Sequence, residues 1–262
     1  MIDPLLLMKI SVQPVLVAVM TLAARRWGST IGGLIMGLPW MTGPVLFFLG
    51  SDKGTDFLVA AARGAELAVW GMGGYILCFA FTTRFTGWPL SLATAVGGYA
   101  GMGLLTQGID VPLEFATVVA VAVLLLTYRI LPRPISAPAL SPPPRWDIAA
   151  RMAATFVLVS GIMVTADVLG PQRSGLIASF PVILTVIGSF MLRQSGRDAL
   201  LRVLRGISLS LLAFVGFFAV IGSAVPRVGL ALGFAFAGCT ALAISGALIA
   251  WSQRPSTRAA RR

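Results

Sequence analysis

Two stretches decide how this chain folds: GGLIMGLPWMTGPVLFFLGSDKGTDFLVAAARGAEL at 32–67 and SGLIASFPVILTVIGSFMLRQSGRDALLRVLRGISL at 174–209. The second follows the first at an offset of 142 residues, 174 against 32. At that offset, with no gap, Gly28, Gly33, Leu34, Ile35, Pro39, Phe48, Gly54, Asp56, Leu58, Arg63, Gly64 and Leu67 recur as Gly170, Gly175, Leu176, Ile177, Pro181, Phe190, Gly196, Asp198, Leu200, Arg205, Gly206 and Leu209. These are 12 identities in the 42 positions 28–69, where average residue usage gives about three by chance. Matches of Gly, Pro, Asp and Arg do not follow from shared apolar composition. The chain therefore contains one structural unit twice.

The solvent of that unit is lipid. Of 262 residues 57% are hydrophobic and only 11% charged, against about 25% charged in soluble domains. Mean hydropathy is +0.91. Nine apolar segments follow one another, at about 5–24, 29–50, 57–81, 87–107, 112–131, 149–169, 174–192, 203–224 and 228–251. A bilayer admits helices or closed barrels only. Barrel strands alternate over about ten residues, whereas these runs are continuous and near the helix-spanning length of about 20. The expected fold is an all-α integral membrane protein with about nine transmembrane helices.

Its expected organisation follows from the repeat. Residues 1–110 form a first unit of four helices, and 147–252 a second. Between them, 111–146 holds a linker helix and a loop rich in proline (Pro132, Pro134, Pro138, Pro142, Pro143 and Pro144), and 253–262 is a basic tail. Four crossings plus one linker helix is an odd number, so the second unit enters from the opposite side. The repeat is then inverted, as in many secondary transporters.

Charge orients it. With nine crossings, one side receives Arg25, Arg26, Arg84, Arg129, Arg133, Arg145, Arg151, Arg193, Arg197, Arg202, Arg205 and the tail arginines 254, 258, 261 and 262, 15 in all. The other receives Lys9, Lys53, Arg63, Arg173 and Arg227, which is 5. The positive-inside rule gives an outside N-terminus and a cytoplasmic C-terminus in a bacterial inner membrane. If segments two and seven were re-entrant hairpins instead, the split would weaken to 13 against 7.

The same placement explains the net charge of +11 without nucleic acid, because the arginines flank apolar runs. There is no histidine, and Cys78 and Cys239 stand alone, so no zinc or haem site and no cofactor is expected. GxSxG, P-loop, HExxH and CxxC motifs are missing, so no enzyme is expected either. No cleavable signal peptide is expected, since the first run contains Lys9.

Chemistry must come from the residues that break the apolar pattern, because ionisable groups in a membrane are costly and default to function. Arg63 and Arg205 are the matched cations, and Arg suits bidentate capture of carboxylate or phosphate. Lys9 and Arg151 form a second matched pair, suited to interface anchoring or to a cationic pathway. Pro39 and Pro181 break segments two and seven, and paired breaks point to a midplane site; Thr42 and Ser179 supply hydroxyls beside them. Glu66, Asp56 and Asp198 are the candidates for proton coupling, and Glu66 stands three residues from Arg63, where it could neutralise it.

The run SGLIASFPVILTVIGSF followed by SGRDALLRVLRG, repeated more loosely as GGLIMGLPWMTGPVLFF and KGTDFLVAAARG, resembles the GlpM-like small membrane proteins. The resemblance covers about 40 residues per half and implies a fused pair of such units. Leu38 stands where the family pattern has Phe before Pro39. The resemblance bears on architecture more than on substrate. Residues and repeat together lead to the expectation of a secondary transporter for an anionic solute or anionic lipid, such as a polyprenyl phosphate or lysophospholipid. The alternative is a non-transporting scaffold or channel. Membrane lipids and the anionic substrate are the expected partners, with room for a homodimer.

Overall fold

The computed structural model describes residues 4–28, 39, 42–106, 108–135, 144, 146–169 and 180–252. Its described elements are α-helices: α1 (Pro4–Trp27), α2 (Thr42–Lys53), α3 (Thr55–Thr82), α4 (Trp88–Thr106), α5 (Leu113–Ile130), α6 (Asp147–Leu169), α7 (Val182–Val228) and α8 (Leu230–Ser252). Four of them, α3, α5, α7 and α8, are long and apolar enough to cross a membrane. Large apolar side chains cover their outer faces, with Val118 67%, Leu126 60% and Leu242 63% exposed. Such a surface suits lipid rather than water.

α7 joins two helices that meet at a kink at Gly196 (φ 79°, ψ −178°), between segments seven and eight of the sequence. Gly54, between α2 and α3, has φ 84° and ψ −179°. The two residues are 142 apart and share a backbone conformation that is essentially confined to glycine. Other boundaries keep the same offset. Helices α4 and α8 begin at Trp88 and Leu230, and α1 and α6 end at Trp27 and Leu169.

Pro39 and Pro181 do not lie inside the described helices. Each opens one: Gly43 N–H donates to the Pro39 carbonyl at 3.0 Å and Thr185 N–H to the Pro181 carbonyl at 2.9 Å. Proline has no N–H to lose in a first helical turn, so it starts a helix at no cost there and would break one further in. The helices they open are short. α2 has 12 residues, about 18 Å, and 182–195 is about 21 Å, against a hydrocarbon core of about 30 Å.

Equivalent helices pack antiparallel. Arg25, near the end of α1, bonds Asp147 at the start of α6. Arg197, just past the Gly196 bend, reaches Thr83 at the end of α3. At the other end, Gly222 of α7 lies against Ala62, near the start of α3. α5 lies against both α3 and α7. The core between them is built on Tyr75, Phe79, Leu184, Leu200 and Leu204, with the Tyr75 and Thr185 hydroxyls hydrogen-bonded at 3.0 Å.

In lipid, helices associate through close packing of small residues. α3 and α4 meet at Gly74 and Gly98, where a Cβ added to Gly98 would sit 2.8 Å from the Gly74 carbonyl oxygen and 2.7 Å from Cys78 Sγ. Nothing lies within 4 Å of a Cβ added to the adjacent Gly97. Gly98→Ala is expected to destabilise the protein by about 1–3 kcal/mol, and Gly97→Ala to leave it nearly unchanged. Thermal unfolding of the two variants in detergent checks this; equal melting temperatures would contradict the packing.

Candidate functional site

The matched arginines grip opposite ends of α5. Arg63 Nη1 pairs with the Asp110 carboxylate, three residues before α5 begins. Arg205 Nη1 donates to the carbonyls of Tyr128 at 3.1 Å and Leu131 at 2.8 Å, at the end of α5. The first contact supplies charge to an acid; the second satisfies carbonyls that a helix end leaves without partners, at its negative pole. Arg63 is 39% and Asp110 85% exposed, so that pair is worth about 0–1 kcal/mol. The expected neutralisation of Arg63 by Glu66 is not made, because Arg63 turns outward to Asp110.

Around Arg205 the chain forms a pocket of about 310 Å³, lined by Arg202, Arg205, Gly206 and Leu209 of α7, Tyr128, Pro134, Trp251 and Ser252. The Arg205 guanidinium lies 4.2 Å from the Tyr128 ring centroid, within cation–π range. Trp251 packs edge-on against the same ring at 6.5 Å. Two cations beside amphipathic aromatics at a helix end match the chemistry of an anion held at a membrane interface. Asp198 borders this end and accepts the Ile135 N–H at 3.1 Å. It therefore fastens the stretch after α5. Asp56 is exposed in the first turn of α3, where it favours the positive end of that helix.

Arg151 is not an exposed anchor. It is 4% exposed, and Asp147 is fully buried. Arg151 Nε donates to both Asp147 carboxylate oxygens at 2.9 and 3.0 Å. Arg25 Nη2 joins at 2.5 Å and Gln194 Nε2 at 2.6 Å. The Arg151 guanidinium also sits 5.0 Å from the Phe190 ring centroid. One carboxylate thus ties α1, α6 and α7 together. The i, i+4 spacing of Asp147 and Arg151 was the signal for this pair; Arg25 and Gln194 had none.

Thr42 is exposed at the start of α2, and Thr185 supplies a bonded hydroxyl beside the second break. Ser179 and the Lys9 side chain lie outside the described residues. Glu66 is fully buried on α3, and neither of its carboxyl oxygens has a hydrogen-bond partner. Its match in the other unit, Ser208, is also fully buried and satisfies itself by donating to the Leu204 carbonyl at 2.7 Å.

Compared with known proteins, the chain matches no family model, no curated sequence and no solved structure. Function must then be argued from the geometry.

Asp147→Asn tests the buried network. Removing the charge leaves Arg151 buried without its counter-ion, which costs about 3–5 kcal/mol. The variant should unfold at a clearly lower temperature in detergent, and adding Arg151→Met should restore part of the loss. A variant as stable as the parent would show that the network holds nothing together.

Proposed function

We propose that this chain is a secondary transporter for an anionic solute or an anionic lipid, working by alternating access between two inverted four-helix units. The observation that carries the reading is the pair Gly54 and Gly196. They occupy equivalent positions with the same backbone conformation, and the helices that follow them pack antiparallel. Two copies related in this way can trade conformations, so that outward-open and inward-open states lie close in energy. Short helices opened by Pro39 and Pro181 supply the discontinuous elements such a mechanism moves.

The anionic class rests on the pocket at Arg202 and Arg205. Arg205 both lines it and caps α5. An anion taken up there competes with the α5 carbonyls for one guanidinium, and this couples binding to the helix lying against both units. The basic end of the bundle gathers Arg25, Arg151, Arg197, Arg202 and Arg205, while Arg63 with Asp110 marks the other. In a bacterial inner membrane the positive-inside rule places the pocket on the cytoplasmic side.

The test is flux in proteoliposomes, with labelled inorganic phosphate and a fluorescent phosphatidic acid as probes for the solute and lipid versions. Wild-type protein should move one of them, and Arg205→Gln should slow that movement at least about tenfold, the loss of one charge-assisted bond of about 1.5–3 kcal/mol. Arg63→Gln, on an exposed pair, should act more weakly. Equal flux from wild type and Arg205→Gln, at equal protein yield, would sink the proposal.

A further inference from the structure

We infer that Glu66 is a proton-binding site within the membrane, holding a proton in the occluded protein and giving it up when the α3–α5 interface opens to water. This rests on the transport reading for its use, though not for its existence. α3 has 28 residues, and Glu66 lies eleven residues beyond Thr55, about 16 Å along the helix axis. Thr117 beside it lies four residues past Leu113, about 6 Å into α5, so the carboxyl sits one to two turns in from the end of the bundle that Arg63 and Asp110 mark.

Among the described residues no cation pairs with Glu66. Glu66 is fully buried with both oxygens unpartnered. On its own helix the charged residues are Asp56, exposed, and Arg63, engaged with Asp110. α4 and α8 contain no Asp, Glu, Lys or Arg, and neither does 206–226 of α7. The charged residues of α2, Asp52 and Lys53, are exposed at its end. α5 offers Glu114, exposed in its first turn, and Arg129 near its far end. A buried carboxylate lacking a cation and hydrogen bonds is far more costly than its neutral acid.

A second observation makes this a site rather than a lone acid. The Thr117 hydroxyl of α5 lies beside the carboxyl, within reach of a hydrogen bond to it, and the Trp70 indole N–H, one turn along α3, is buried and unpartnered. Thr117 and Glu114 share a face of α5 one turn apart, so small movement of α5 opens a polar route from Glu66 toward Glu114 and Asp110. Arg63 and Arg205 hold the two ends of that helix, which links proton release to the pocket. Ser208 stands in the equivalent place in the second unit, so the site exists once in two matched copies.

Two measurements test this. Infrared spectra of the protein in lipid at neutral pH should contain a carbonyl stretch of a protonated carboxylic acid that Glu66→Gln removes. It should shift in heavy water once the interface opens. No difference between wild type and Glu66→Gln would overturn the proton site whatever the protein transports. In proteoliposomes, wild type should accumulate the transported probe several-fold under an imposed pH gradient. Glu66→Gln should cut that accumulation to the equilibrium ratio while retaining probe exchange with no gradient. Unaltered gradient-driven accumulation by Glu66→Gln would also overturn the site. Wild type that moves neither phosphate nor phosphatidic acid would fail the transport reading instead, leaving the spectra to decide the proton site.

Discussion

The antiparallel packing of α3 against the 197–228 stretch of α7 is the constraint on which the remaining structure depends. Each follows a glycine with φ near +80° (84° at Gly54, 79° at Gly196), and each packs against a partner helix beginning at an equivalent residue. Lipid provides no partner for backbone groups, so a break is tolerated only where neighbouring protein covers it. Placing the two breaks at opposite ends of one antiparallel pair lets each unit's long helix support the other's short one, as Tyr75 of α3 does through Thr185 of α7.

α5 has no counterpart in the repeat and is held by what the repeat supplies twice. Arg63 and Arg205 are equivalent residues, yet one meets an acid ahead of the helix and the other meets carbonyls behind it. The antiparallel packing of α3 and the 197–228 stretch of α7 brings them to opposite ends of α5. The units also differ where chemistry is concentrated. The Asp147 carboxylate with its two arginines closes one end of the α1–α6 contact, and Glu66 is matched by a serine that needs no partner beyond its own helix.

Much of the fold was legible because it is local. Gly54 and Gly196, matched at the fixed offset of 142 residues, proved to be the bends. The described ends of α1, α3, α4, α5, α6 and α8 fell within about three residues of the apolar runs, whereas α2 and α7 begin well away from theirs. Pro39 and Pro181 each stand just ahead of a described helix, and the first parts of segments two and seven, which they were expected to interrupt, lie outside the described residues. The site was less legible, because its contacts join distant positions. Arg205 to the α5 carbonyls, Arg25 to Asp147 and Gln194 to Asp147 leave no periodic trace. Glu66 was visible as a buried acid, but its apparent partner at i−3 was a false lead: helix geometry permits that pair, and Asp110 sits outside where Arg63 meets less desolvation.

The central claim is that the two units exchange conformations. Spin-label distances measure it directly, with one pair at the basic end (positions 84 and 193) and one at the other end (positions 60 and 227), all exposed. Adding the transported anion, or shifting pH, should lengthen one distance as the other shortens. Two distances that stay fixed together under every condition would contradict alternating access and leave a static membrane scaffold.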